Sequence, residues 1–280
     1  QPIFFEKIVS ELEESNKGVA ESLYEGDMQL TNEQLASIME KHRNSHRMKR
    51  QAITKLATAW GKDPIPYKLM NISDHVRETF HNALSHWEKR TCVRFSEDGP
   101  GVDRVTVYAM NGCSSSVGRV GGEQTMSLAD SCKSLGTVIH EVEHLLGVFH
   151  TQSRGDRDDY VTVQTENILN GSEHNFDKYT DTSDNLGIPY EYGSLLHYSD
   201  TLFSSNGQST LTAADATYQK SMGGHLPSFY DTALINTFYG CYDNCAGTRI
   251  KCENGGVQDV NDCTKCLCPD GYGGRYCNDD

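Results

Sequence analysis

Apolar positions along this chain recur with two periods, and they divide it into three stretches. In FFEKIVSELEE (4–14), Phe5, Ile8, Val9 and Leu12 fall at helical spacing, which predicts a helix. TNEQLASIMEKHR (31–43) predicts a second, with Thr31 or Asn32 as its N-cap. Beyond residue 50, YKLMNI (67–72) and DRVTVYAM (103–110) alternate as strands do, and DHVRETFHNALSHWEKRT (74–91) reads as an amphipathic helix. TVIHEVEHLLGVF (137–149) is apolar at Val138, Ile139, Val142, Leu145, Leu146 and Val148, a density that predicts a buried helix. After residue 242 the pattern gives way to short glycine-rich segments between cysteines.

Composition narrows the setting. The 280 residues fit one sizeable core with accessories. A net charge of −14 with no large basic cluster argues against nucleic acid as a partner. No apolar run reaches the ~18 residues of a membrane span, so no transmembrane segment is expected. Six of the ten cysteines crowd into the last 36 residues, which points to an oxidising, extracellular compartment. The sequence opens on Gln1 without an apolar leader; the simplest expectation is a secreted chain whose signal peptide has been removed. Asn71 and Asn170 begin Asn-x-Ser sequons and are candidate glycosylation sites. Arg47, Lys49 and Arg50 in HRMKR (46–50) form a basic pattern that secretory processing proteases cut, here between Arg50 and Gln51. A solvated basic patch after a helix is the blander alternative.

The candidate chemistry lies in HEVEHLLGVFH (140–150). His140 and His144, four apart, project from one helix face and supply two neutral nitrogen ligands suited to Zn²⁺. Glu141 sits beside them, where a general base for the attacking water belongs. Gly147 can turn the chain sharply, so that His150 swings back as a third ligand. Three protein ligands leave an open position, the mark of a catalytic site. A pair of histidines at helical spacing also occurs on ordinary cores and surfaces; the full H-E-x-x-H-x-x-G-x-x-H pattern is far more specific. Glu143 reads as a surface or ion-pairing residue.

That motif, with SRGDRDDYVTV (153–163), ENILNGSEHNFDKY (166–179), GSLLHY (193–198), GRVGGEQTMSLADSC (118–132) and FYGC (238–241), resembles the astacin family of metzincin zinc proteases; PIPY (64–67) and the cysteine-rich tail resemble astacins of nematodes. The resemblance covers 51–242 and implies an α+β fold. It would have two lobes: a twisted mixed sheet with helices in the upper, an irregular lower one, and the cleft between. It implies that Tyr198 reaches the metal and later supports the oxyanion. TMSLA (125–129) would be the cleft-side edge strand that pairs with extended substrate. It implies the disulfides Cys92–Cys241 and Cys113–Cys132. Two positions depart from the family: Leu196 stands where a methionine packs beneath the zinc, and Thr151 where many members have a glutamate that pairs with the activated N-terminus.

LYEGDMQL (23–30) resembles the F-E-G-D motif of astacin propeptides, with Tyr24 for Phe. This implies that 1–50 is a propeptide acting as an intramolecular inhibitor, in which Asp27 binds the zinc of the latent form and displaces water. A Gly-Asp turn between helices is the plainer alternative. The ending C-x-C-P-x-G-Y-x-G-x-x-C resembles an EGF-like module (243–280), implying the pairs Cys245–Cys263, Cys252–Cys266 and Cys268–Cys277 and a possible extracellular partner. Metal ligation by Cys263, Cys266 and Cys268 is the weaker alternative. The expectation is a secreted zinc endopeptidase zymogen with one Zn²⁺. Its rivals are a protease-shaped protein without activity and a protease of another metzincin subgroup.

Overall fold

The structure, a computed structural model, describes residues 7–43, 58–179 and 185–279. The basic run 46–50 and the expected cut between Arg50 and Gln51 lie outside the described residues. Two helices open the chain, α1 (Lys7–Asn16) and α2 (Asn32–Arg43), with the short strand β1 (Met28–Gln29) between them. Thr31 caps α2: its hydroxyl accepts from the Gln34 N–H while the Gln34 side chain accepts from the Thr31 N–H, a reciprocal capping box.

Strand β2 (Ile65–Met70) leads into α3 (Asp74–Arg90). The strand stops two residues short of the stretch that alternation predicts, because Asn71 takes φ +54° and turns the chain. Ser73 then caps α3 through the Val76 N–H, and Lys89 and Arg90 suit its C-terminal dipole. The helix buries Val76, Phe80, Ala83, Leu84 and Trp87, a stripe at helical spacing. Strands β3 (Phe95–Glu97), β4 (Arg104–Tyr108), β5 (Cys113–Ser116) and β6 (Glu123–Leu128) complete the sheet, in the order β1-β5-β6-β4-β2-β3. β5 is antiparallel to β6, and every other pairing is parallel.

This order corrects one expectation. Residues 125–129 do not form the edge: β6 is held on both sides, by β4 and β5. The chain doubles back between β5 and β6 through Gly118, Gly121 and Gly122, all at positive φ, and so lays β5 outside β6. Among the strands of residues 58–242, β5 is therefore outermost on that side. Its free edge carries β1, with Met28 opposite Ser115 and Gln29 opposite Ser116.

α4 (Leu135–Leu145) packs with α3 against the sheet in a core of Ile65, Phe80, Trp87, Val105, Val107, Met126, Leu128, Ile139 and Leu146. After α4 the chain is mostly irregular. A two-stranded ribbon, β7 (Val161–Val163) with β8 (Leu211–Ala213), and a cluster including Phe176, Tyr190, Tyr192, Tyr198 and Leu211 form a second, aromatic core. α5 (Phe229–Phe238) returns to the first half, where the Cys92–Cys241 disulfide ties its far end to the end of α3.

Cys113–Cys132 is the second bridge. Beyond residue 242, Cys245–Cys263, Cys252–Cys266 and Cys268–Cys277 staple a small segment with one hairpin, β9 (Val257–Gln258) against β10 (Cys266–Leu267). Asn261 fixes this segment to α3 by donating to the Glu88 and Thr91 carbonyls. No described helix is long and apolar enough to cross a membrane.

Candidate metal centre

α4 is buried all round, from Gly136 to Leu145, so its polar side chains must find partners inside the protein. Ser134 caps its N-terminus through the Thr137 N–H. Its last carbonyls are satisfied from afar: Trp60 Nε1 donates to Leu145, and the Tyr239 hydroxyl to Leu146. Gly147, at φ +105°, ends the helix, and its N–H returns to the His144 carbonyl. That turn brings His150 back under His140 and His144.

The three rings converge on Asp27 from the N-terminal segment. One ligand atom from each of the four residues lies within 4.8 Å of the others. Asp27 Oδ2 is 3.1 Å from His140 Nε2 and 3.3 Å from His150 Nε2, and Oδ1 is 3.6 Å from His144 Nε2. Ligands bound to tetrahedral Zn²⁺ at ~2.0–2.1 Å stand about 3.3 Å apart, so these spacings suit the ion.

The outer nitrogens fix which atoms face the centre. His140 Nδ1 donates to the Leu195 carbonyl at 3.0 Å, His144 Nδ1 to the Val148 carbonyl at 2.8 Å, and His150 Nδ1 to the Glu25 carboxylate at 2.8 Å. Whenever a ring is neutral, its Nε2 is therefore the lone pair, and it aims inward. His140 Nε2 and His144 Nε2 then stand 3.1 Å apart, two acceptors facing each other. His150 Nε2 and Asp27 Oδ1 are buried without a hydrogen-bond partner. A cation answers all of these at once, and the donor set is that of zinc.

Electrostatics follow the same geometry. Burial alone would raise the Asp27 carboxyl, but the His150 charge, and then its close contacts with the three histidines, hold it well below the usual range. Burial disfavours a charged His150, yet Asp27 and Glu25 outweigh it and lift the ring to about 10. Without a metal, a proton on His150 balances the buried carboxylates; a metal cation takes its place. His144 is pushed down to about 4, chiefly by burial. Glu141 is fully buried with both oxygens unpartnered, and burial, then Asp27, raises it well above the carboxylate range.

Tyr198 is buried beside His150, with ring centroids 5.0 Å apart. Its hydroxyl does not take a metal position here. It donates to the Glu25 carbonyl at 2.8 Å, because Asp27 fills the fourth place and Glu25 lies across the phenol. The turn around Leu196 positions ligands through its backbone. The Leu195 carbonyl holds His140, the Leu196 carbonyl accepts from the Thr151 N–H, and the Tyr198 N–H donates to Gln152. Thr151 also bonds Ser194 through its hydroxyl, 2.9 Å away.

Glu143 requires a second correction. It is fully buried and unpartnered, with its carboxyl pushed well up by burial and then by Asp231. The cause is a helix packed on every face, which leaves position 143 no surface. Two side chains in the hydrogen-bond network around the histidines went unread in the sequence. Asp231, in the Ser228–Asp231 capping box of α5, accepts from the Leu195 N–H and so steadies the carbonyl that holds His140. Ser-x-x-Asp before an apolar run was its available signal. Glu25 lies inside the YEGD stretch, but no spacing rule links it to His150, 125 positions away. Asn71 and Asn170 are both exposed.

The fold and this constellation define the class of zinc metallopeptidases. A family model for Astacin, a peptidase family, matches residues 52–240. The chain belongs to the astacin family. It is 38% identical over 93% of its length to zinc metalloproteinase nas-31 of Caenorhabditis elegans, and 39% identical over 94% to nas-30. It spans 44% and 36% of those two relatives, less than half of each. Among solved structures it is similar to high choriolytic enzyme 1, a hatching enzyme zinc-protease from medaka. The TM-score is 0.62 at 32% identity, over 70% of this chain and 99% of that one.

Proposed function

We propose that this chain is a secreted zinc endopeptidase held latent by its own N-terminal segment. The observation that carries the reading is the convergence of three histidine Nε2 atoms and the Asp27 carboxylate on one buried point. His140, His144 and His150 would hold the ion. When bound, it polarises the scissile carbonyl and makes water a nucleophile at neutral pH. Glu141, on the same helix turn and desolvated, takes the proton from the attacking water and hands it to the leaving amine. Tyr198, released from the Glu25 carbonyl, donates a hydrogen bond from its hydroxyl to the developing oxyanion.

Residues 1–50 act as the propeptide. Asp27 fills the position that water needs, and β1 covers the edge of β5 that an extended substrate would pair with. Cleavage between Arg50 and Gln51 frees both at once. Residues 243–280 are read as an EGF-like module that is anchored to α3 and available to an extracellular partner. The five disulfides favour the secreted setting. Peptide and unfolded protein chains are the substrate class.

The test is Glu141→Ala in the activated protein. It should retain one zinc per chain and lose turnover by about 10²–10⁴-fold, the usual worth of a positioned base. Wild-type turnover in that variant would refute the mechanism.

A further inference from the structure

The three ligand histidines are not anchored alike. His140 and His144 give their outer N–H to backbone carbonyls of the catalytic segment, at Leu195 and Val148. His150 gives its own to a carboxylate, and that carboxylate is Glu25 of the N-terminal segment. We propose that Glu25 is a positioning residue for the metal, so that the N-terminal segment tightens the centre it blocks.

Glu25 is built into the site. The chain reverses between Tyr24 and Met28, which exchange backbone hydrogen bonds of 2.9 and 3.0 Å. Glu25 at φ +50° and Gly26 at φ +90° make that reversal, and it presents Glu25 and Asp27 to the histidines together. A side chain at Gly26 would press Phe203 at 3.2 Å, so the turn is closely fitted. One carboxylate oxygen of Glu25 meets His150 Nδ1. The other accepts from the Ser153 hydroxyl at 2.8 Å and the Tyr179 hydroxyl at 2.7 Å. Glu25, His150, Ser153 and Tyr179 are all buried, so water replaces none of these bonds while the segment is in place.

The consequence is chemical. An imidazole whose outer N–H is held by a carboxylate is fixed in orientation and is a more basic ligand at the other nitrogen. In the latent chain, His150 has that support and its two fellow ligands do not. Departure of the N-terminal segment removes it and leaves three donors, on His150, Ser153 and Tyr179, without their shared acceptor. The metal is then held less tightly in the activated protein for two reasons: one ligand carboxylate is gone, and one ligand histidine has lost its anchor.

The inference rests on the zinc reading, and its test separates the two. The full-length chain is titrated with zinc against a competing chelator, and its cobalt form is recorded by visible absorption. Wild type is compared with Glu25→Gln, and with Ser153→Ala and Tyr179→Phe, which loosen Glu25 without touching His150. Glu25→Gln should raise the zinc dissociation constant about 10–100-fold, the usual loss on removing an outer partner. It should shift the cobalt spectrum while keeping four-ligand intensity. The two milder variants should each raise the constant a few-fold. Zinc bound by wild type, with Glu25→Gln within twofold of it and an unchanged spectrum, would overturn the proposal and leave the protease reading standing. Failure of wild type itself to bind zinc would overturn both. Should Glu25→Gln fold poorly, Tyr179→Phe and Ser153→Ala decide alone: no change in either counts against the proposal.

Discussion

The two halves of the catalytic segment are built on different physics. Before His144, a sheet and two helices share an aliphatic core with Phe80 and Trp87, and regular backbone pairing satisfies most polar groups. After it, tyrosines cluster and stack around a two-stranded ribbon, and side chains hold irregular backbone in place. Arg157, for example, donates to the Gln152 and Phe176 carbonyls. The metal centre straddles the seam. His140 and His144 come from the regular half, while His150 and Tyr198 come from the irregular one. The first pair is placed by helix geometry and the second by long-range hydrogen bonds, so damage to the two halves should look different.

The largest effect on stability should come from the regular half. Trp87→Ala empties a fully buried site and should cost about 3–5 kcal/mol in denaturant unfolding. A loss under ~1 kcal/mol would mean that the two halves do not differ as described. In the irregular half, Tyr190→Phe removes the hydroxyl that donates to His197 Nε2 at 2.8 Å. Leaving that buried nitrogen unpaired should cost about 1–3 kcal/mol. Chymotryptic nicking within 185–225 should rise more than global unfolding would explain.

A pH effect sharpens the comparison at the seam. The folded carboxyl of Glu143 lies above its ordinary value of 4.5, because burial opposes its charge. Its contribution is therefore complete below 4.5 and is lost as pH rises toward the folded pKa. Glu143→Gln escapes that loss. Its melting temperature should exceed that of wild type at neutral pH, with the gap narrowing toward pH 4.5. A constant gap across pH 4.5–8 would contradict a buried, unpaired Glu143. The smallest effect is expected at Leu196. Its backbone positions Thr151, so Leu196→Met should change stability by less than about 1.5 kcal/mol and leave zinc binding within a few-fold. A large gain in metal affinity would show that the side chain matters.

These halves also differed in how far the sequence disclosed them. The spacing of His140 and His144 and the apolar stripe of α3 follow local periodicity, so both were readable. Gly147 marked the turn toward His150. Family resemblance marked 125–129 as a strand but set it at the sheet edge; its actual rank depends on the glycine reversal before it. Glu143 was misread because a helix period says which face an amino acid takes, not whether every face is covered. Glu25 lay beyond any local pattern, since its role exists only once residue 25 meets residue 150. The irregular half carries little period, and family resemblance rather than periodicity marked Tyr198.

The most direct measurement is cleavage of an unfolded protein by the purified chain, before and after a cut between Arg50 and Gln51, with and without a zinc chelator. Activity should appear only after the cut, vanish with chelator and return with zinc. Activity of the cut chain that persists in chelator would contradict a zinc centre at His140, His144 and His150, and full activity before the cut would contradict latency through Asp27.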